Sequence, residues 1–416
     1  MTFSLRRSLC LLMTGFALCC ISYAQAQDVV VLDFDAAMER VLNNSLQLKI
    51  SKSDIYVKAG ERQQVGLYPN PVISYEVENF ASKNFRASAD RVSRYEVEQF
   101  VELGSKRRIR KTLASQKYDK ALVDHEVNQI EILNRASKAF IAVAAAQEQL
   151  FLAKEQAKVS NEALNALGEK VRNGKIPLIH QNKAEIDCAS SEFELENACI
   201  RLQAAKERLS LFWGCQCPDF DEVAFSFYDI SCPLSLTECL EDFCTHPEIA
   251  RAHLDYLAAH LTVELEKADR TPDLSLMLGY KSGQDKGDSS MVFGVAVPIP
   301  IFDRNQGNIS RAYAEECRSQ EETKLVWLLL ELKLSIAHKE LLQAYCEAEK
   351  LREKVLRIAN KSYESVHEGY KAGKYEYLDV LQSQRTLCEI KDKYIQVLVN
   401  YHNRRADIEY LTIDVD

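Results

Sequence analysis

Between Pro71 and Pro177 the chain has no proline, and from Ser105 to Val171 its only glycine is Gly168. Proline and glycine are the residues that interrupt helices. The spacing therefore predicts one continuous helix, about 100 Å long at 1.5 Å per residue. Proline is absent again after Pro300. Ala, Leu, Glu, Lys and Gln dominate these stretches, as a long packed helix requires. A helix of this length cannot bury its apolar stripe in a compact globule. It must pack along other long helices.

The chain also repeats itself with an offset of about 200 residues. Asn44-Ser45-Leu46 is matched by Pro247-Glu248-Ile249, and Pro69-Asn70-Pro71-Val72 by Thr271-Pro272-Asp273-Leu274. Glu102 to Lys106 is matched by Ile301 to Asn305, and Val171 to Lys175 by Tyr370 to Lys374. Four pairs in one order and register are not a chance match. Each repeat reads as helix, two strands, long helix, tight break, long helix. We take 27–214 as the first repeat and 246–416 as the second. Residues 215–245 hold Pro218, Pro233 and five cysteines, and read as a linker.

The strands alternate with period two. Ile73, Tyr75 and Val77 oppose Ser74, Glu76 and Glu78. Tyr95, Val97, Val101 and Leu103 oppose Glu96, Glu98 and Glu102. Leu274, Leu276, Leu278 and Tyr280 alternate with Ser275, Met277, Gly279 and Lys281, and Met291, Phe293, Val295 and Val297 with Val292, Gly294 and Ala296. Each run is about ten residues, enough for a tilted strand to cross a bilayer. Polar segments 81–90 and 282–290 would join the strands of each pair outside the membrane.

Residues 1–26 read as a secretory signal. Arg6 and Arg7 precede the apolar run Leu9–Ile21, and Ala24-Gln25-Ala26 supplies the small residues a signal peptidase reads. Cys19 and Cys20 are less suited to a lipoprotein cut, because Leu18 and Cys19 precede them. No later apolar run reaches the roughly 18 residues of a transmembrane helix, so any membrane passage must be a β-barrel. The formal charge is −9, or about −11 without Arg6 and Arg7, which argues against nucleic acid as a partner. Four strands cannot close a barrel, and open edges are not tolerated in lipid. At least two chains are needed to reach the eight strands of the smallest barrels, and three would give twelve. Glu76, Glu78, Glu96, Glu98 and Glu102 would then line an acidic lumen that attracts cations.

The order of elements and several motifs resemble the TolC family of outer-membrane efflux ducts, over nearly all of the chain after the signal. Tyr68-Pro69-Asn70-Pro71, Leu103-Gly104-Ser105-Lys106-Arg107 and Val297 to Ile309 are similar to its heavy-metal branch. Gly369 to Gly373, with Leu378 to Leu381, resembles its periplasmic helix turn. The resemblance implies a mainly α chain with membrane β: long coiled-coil hairpins, plus four strands contributing to a twelve-stranded barrel of a homotrimer. It implies a periplasmic adaptor (membrane-fusion protein) and an inner-membrane pump of the RND type as partners, beside outer-membrane lipid. The turns at Gly174, Lys175, Gly373 and Lys374 would be the adaptor-contact tips. Asp379 and Tyr370 match gate positions of the family. Tyr375 stands where an arginine is usual and Gln382 where a second aspartate is usual, so the gate would carry a single acidic layer of Asp379. Read without the family, Asp379 is an acidic residue at a helix N-terminus.

Other candidates are weaker. His246, His253 and His260 repeat every seven residues, but that spacing, about 10.5 Å along a helix, is too wide for one metal. The ten cysteines after the signal favour disulfides over a zinc or copper site, since Cys215-x-Cys217 is tighter than zinc spacing. Lys106, Arg107, Arg108, Arg110 and Lys111 suit either a solvated helix start or lipid headgroups. No phosphate loop, nucleophile elbow or zinc-protease motif is present, so neither catalysis, cofactor nor resident metal is expected. The expected function is a passive outlet for small solutes, with heavy-metal cations first, and drug or protein export as a duct of the same build. A periplasmic coiled-coil scaffold is the rival of a different class.

Overall fold

The computed structural model describes residues 30–78, 91–243, 246–283 and 289–412. The signal sequence, the first strand-joining segment and most of the second, together with Cys244, lie outside the described residues. In chain order the elements are β1 (Val31–Asp33), α1 (Phe34–Asn44), α2 (Leu46–Val65), β2 (Val72–Glu78), β3 (Val92–Val101), α3 (Lys106–Arg172) and α4 (Leu178–Ser210). There follow β4 (Glu222–Ala224), α5 (Leu236–Phe243), α6 (Pro247–Asp269), β5 (Leu274–Gly283), β6 (Ser289–Ala296), α7 (Gln306–Lys350), α8 (Arg357–Lys371) and α9 (Tyr377–Leu411). Helix α3 runs 67 residues without a break, with no proline in it and Gly168 its single glycine, one turn from the end. A six-residue π-helical segment, Leu351–Leu356, joins α7 to α8.

The chain forms two compact units that cut across the sequence repeats. One comprises residues up to Arg40 and Ala139–Tyr228. In it β1 and β4 pair in parallel, and Phe34 and Phe225 pack on Phe140, which is fully buried. On α4, Ala184, Cys188, Ser191 and Ala198 are buried. Their steps of four, three and seven residues make a coiled-coil seam, with small side chains that allow close approach.

The other unit comprises Val41–Lys138 and Asp229–Asp416. Its antiparallel sheet has the order β2-β3-β5-β6, so the two hairpins join through β3 and β5. Along α7, Leu330, Leu334, Ala337, Leu341, Ala344 and Ala348 are buried at alternating steps of four and three residues. Leu398 and Tyr401 of α9 are buried too, and the Tyr401 hydroxyl donates to the Ser231 carbonyl at 2.9 Å. Burying a leucine such as Leu334 contributes about 2 kcal/mol, so this seam, rather than helix propensity, holds the helices together.

Several expectations need correction. The segment read as a linker is structured. Val223 of β4 is buried between Phe220 and Phe227, also buried, and α5 puts Cys239 and Phe243 into the core of the second unit. The expected disulfides are not formed at Cys188, Cys199, Cys215, Cys217, Cys232, Cys317 or Cys346, all of which carry free thiols. Cys188 and Cys199 share one helix eleven residues apart, roughly 16 Å along the axis, far beyond the reach of a disulfide. The basic run is largely turned inward. Lys106 is 5% exposed and meets Asp273 at 2.8 Å, Arg107 lies over the Tyr68 ring at 3.5 Å, and Arg110 holds Glu102. Only Arg108 and Lys111 of the five are exposed.

Candidate functional site

Three places carry the chemistry anticipated from sequence: one face of the sheet, and the two turns that end α3 and α8. In an antiparallel sheet, directly opposed residues share a face. The register Ile73↔Val97↔Leu278↔Phe293 and Tyr75↔Tyr95↔Tyr280↔Met291 therefore makes the middle of one face apolar, with Ser93, Ser282 and Ser289 in the row at one end and Gln99 at the other. Ile73, Phe293 and Met291 are 79%, 70% and 74% exposed on it. Four strands of exposed aliphatic and aromatic side chains form a surface that water does not stabilise.

The opposite face carries Glu76, Glu78, Glu96 and Glu98. Ser74, Glu96, Gly279 and Val292 form one row across it, and Val72, Glu98, Met277 and Gly294 the next. Two cations share this face: Lys281, which the alternation had placed here, and Arg94, which sequence reasoning missed. Arg94 is opposed by Glu76 and Lys281, and its guanidinium lies 3.8 Å from Glu76 and 3.4 Å from Glu78. Arg94 has the same parity as Glu96, so the alternation that found the glutamates could also have found it. The face thus sets four carboxylates against two cations, grouped at the Glu78 end. Glu102 lies beyond the end of β3. Its carboxylate, 12% exposed, takes two hydrogen bonds from Arg110 at 2.6 and 2.7 Å. That makes it a brace between strand and helix instead of a free charge on this face.

The two turns share one backbone solution. After α3, Lys175 N–H donates to the Lys170 carbonyl at 2.9 Å and Gly174 N–H to Val171 at 2.9 Å. After α8, Lys374 N–H donates to Gly369 at 2.8 Å and Gly373 N–H to Tyr370 at 3.0 Å. Both are Schellman caps, with the glycines at φ 69° and 75°. Lys175 and Lys374 are exposed at their tips.

The second turn is the more elaborate. Tyr370 packs edge-on against Tyr377 at 5.8 Å. Asp379 is exposed; its carboxylate accepts the Glu376 backbone N–H at 3.0 Å and forms a capping box with Glu376. The cap compensates unpaired backbone donors at the start of α9. Asp379 and Gln382 also line a cleft of about 310 Å³, together with Tyr375, Ser362, Val366 and Thr386. Sequence reasoning placed Gly369 in the turn motif but missed its role. A β-carbon there would lie 2.2 Å from the Tyr375 ring, so the missing side chain is the seat of that ring.

The histidines have separate tasks. His246 caps α6, its Nδ1 accepting from Glu248 N–H at 3.2 Å. Burial, the largest influence, pushes its pKa below the ordinary value. His260 pairs with Glu316 at 2.7 Å.

The outer membrane efflux protein family matches residues 64–215 and 243–412, covering both strand pairs and all the long helices. The chain belongs to this family. It is 29% identical over 381 residues to the cobalt-zinc-cadmium resistance protein CzcC of Cupriavidus metallidurans, covering 91% of this chain and 89% of the relative. It is 20% identical over 314 residues to the nickel-cobalt-cadmium resistance protein NccC of Alcaligenes xylosoxydans, covering 76% and 71%. In fold it is similar to the Campylobacter jejuni outer membrane channel CmeC, with a TM-score of 0.77 at 14% identity over 94% of this chain and 90% of that one. Membership places the protein in the outer membrane as an efflux channel component and not an enzyme. Among the described residues no helix is long and apolar enough to span a membrane.

Proposed function

We propose that this protein is the outer-membrane outlet of a tripartite efflux system for heavy-metal cations. Three copies form a twelve-stranded barrel, fed by an RND-type inner-membrane pump through a periplasmic adaptor. The observation that carries this reading is the sheet. One face is apolar across all four strands in its middle rows, the other holds Glu76, Glu78, Glu96 and Glu98, and among the described residues nothing pairs with the outer edges of β2 and β6. Lipid tolerates no such edges, so further copies must close the sheet. The carboxylates would face the lumen and raise the local cation concentration. The resistance functions named for CzcC and NccC support metal cations as the cargo.

Gating belongs to the second turn. Asp379 and Gln382 form the constriction, while Tyr370 and Tyr375 hold α8 against α9. Gly174, Lys175, Gly373 and Lys374 form the adaptor-facing tips. Growth of a deletion strain complemented with wild type or Asp379→Ala, on metal salts and on unrelated drugs, tests the assignment. Metal sensitivity of the deletion, relieved by wild type, is the expected result. Sensitivity to drugs alone would keep the duct and remove the metal cargo.

A further inference from the structure

The segment Gly214–Asp219 is clamped at both ends. Before it, a 3-10 turn ends at Gly214 with φ 80°, and Cys215 N–H donates to the Ser210 carbonyl at 3.2 Å. After it, Asp219 accepts from Arg40 at 2.8 Å, and Asp221 N–H donates to Val30 at 2.9 Å. The buried rings of Trp213 and Phe220 close the base, with centroids 6.1 Å apart. Pro218 fixes its own φ and restricts Cys217 to extended conformations. The resulting loop presents Cys215 and Cys217 to solvent, and both are exposed free thiols.

Two residues apart, the two α-carbons lie within about 7 Å of each other, so both sulfurs can reach one ion. We propose that Cys215 and Cys217 form a binding site for a soft monovalent cation, Cu(I) or Ag(I), held by two thiolates. Thiolates select soft metals. The ligand number argues against zinc, which takes four ligands in structural sites: among the described residues no group of three or more His, Cys, Asp or Glu side chains is placed to hold a metal, and Asp219 is engaged by Arg40. Each thiol gives its proton to solvent as the ion binds. The clamped base leaves the loop little freedom to lose on binding. The site does not depend on the channel reading.

The test is Ag(I) titration of the full-length protein, extracted from membranes in detergent, reduced and then freed of reductant without air. Compared with wild type, Cys215→Ser/Cys217→Ser is expected to bind one fewer Ag(I) per chain, with two fewer protons released. Each single variant should lose the same equivalent, because one thiolate alone does not hold the ion. Unchanged stoichiometry in the double variant would overturn the proposal. So would a Cys215–Cys217 disulfide found by mass spectrometry in protein taken from cells without reductant, since the geometry also allows that bond. If the double variant does not fold, Cys215→Ala/Cys217→Ala replaces it, and unchanged stoichiometry there would equally overturn the site.

Discussion

The two halves of the chain use the same backbone and different chemistry. Ser105 at φ 62° and Asn305 at φ 61° start the long helices α3 and α7 in the same left-handed conformation. Their anchors differ. After Ser105, the buried Lys106 is tied to Asp273, whereas Asn305 itself donates to the Glu266 carbonyl and carboxylate at 2.9 and 2.7 Å. Charge lies mainly on the first hairpin, and the closely packed aromatic turn lies in the second half. A repeat of this kind conserves the turns a long-helix protein must make, and leaves each copy free to specialise.

The largest effect should come from Gly104, next to the Ser105 turn. It sits at φ 70°, and a β-carbon there would lie 2.9 Å from Thr271 Cβ and 3.1 Å from the Ala268 carbonyl. Gly104→Ala should cost about 3 kcal/mol from backbone strain and overpacking together. In the other half the residue before the left-handed Asn305 is Arg304, one position on from the sequence match of Gly104 with Asp303, and it has no positive φ, so Arg304→Ala should cost under about 0.5 kcal/mol. Thermal denaturation in detergent measures both. Equal effects would break the distinction between the two junctions.

The next effect separates the turns. Gly369→Ala must displace the Tyr375 ring and should cost about 1–2 kcal/mol, while Gly369→Ala/Tyr375→Ala should recover part of that loss. Lys170 holds the corresponding place in the first turn, where no ring needs a seat. If the second turn is the gate, Gly369→Ala also raises the leak of large antibiotics into cells. Unchanged stability together with unchanged permeability would remove Tyr375 from the account of closure.

How much of this was legible in the sequence follows from how local each signal is. The 67 residues of α3 and the alternation of β2, β3, β5 and β6 are written in neighbouring residues: missing helix breakers located the first and the period of two the others. Strands β1 and β4 are three residues each and pair across 191 positions, a contact that no local pattern carries. The π-helical segment after α7 has no proline or glycine to mark it. The glutamates were found as a set, yet Arg94 on the same face was overlooked because the argument followed one residue type instead of the parity of the whole strand. The Tyr375 seat on Gly369 is a packing fact, and nothing in the spacing states it.

The helix starts offer a smaller contrast, readable by pH. Ser45 and His246 are both buried N-caps of corresponding helices, 3% and 4% exposed, but only His246 makes a side-chain cap bond. Burial, then Lys333 and Arg251, lower its pKa against the pull of Glu248. The unfolded chain therefore binds the proton more readily than the folded one. The contribution of this cap is complete above the ordinary value of 6.5 and is lost as pH falls from there through the lower folded-state value. His246→Asn keeps a cap acceptor without a titrating group, and should flatten the stability profile over that window. A loss of stability on acidification that is identical in His246→Asn would assign it to other groups.

The smallest effect in energy tests the face proposed to line the conduction path. Exposed ion pairs such as Arg94 with Glu76 and Glu78 contribute about 0–1 kcal/mol, so Arg94→Gln should leave stability nearly unchanged. It should still change the electrostatics, because it releases two carboxylates and leaves Lys281 as the single cation facing four glutamates across the described strands. In planar bilayers the variant should become more cation-selective, shifting the reversal potential in a salt gradient, and added salt should erase the difference by screening. Glu96→Gln/Glu98→Gln should shift it the opposite way. A reversal potential indifferent to all three positions would mean that this face does not line the conduction path, and the acidic lumen would have to be abandoned even with the family membership intact.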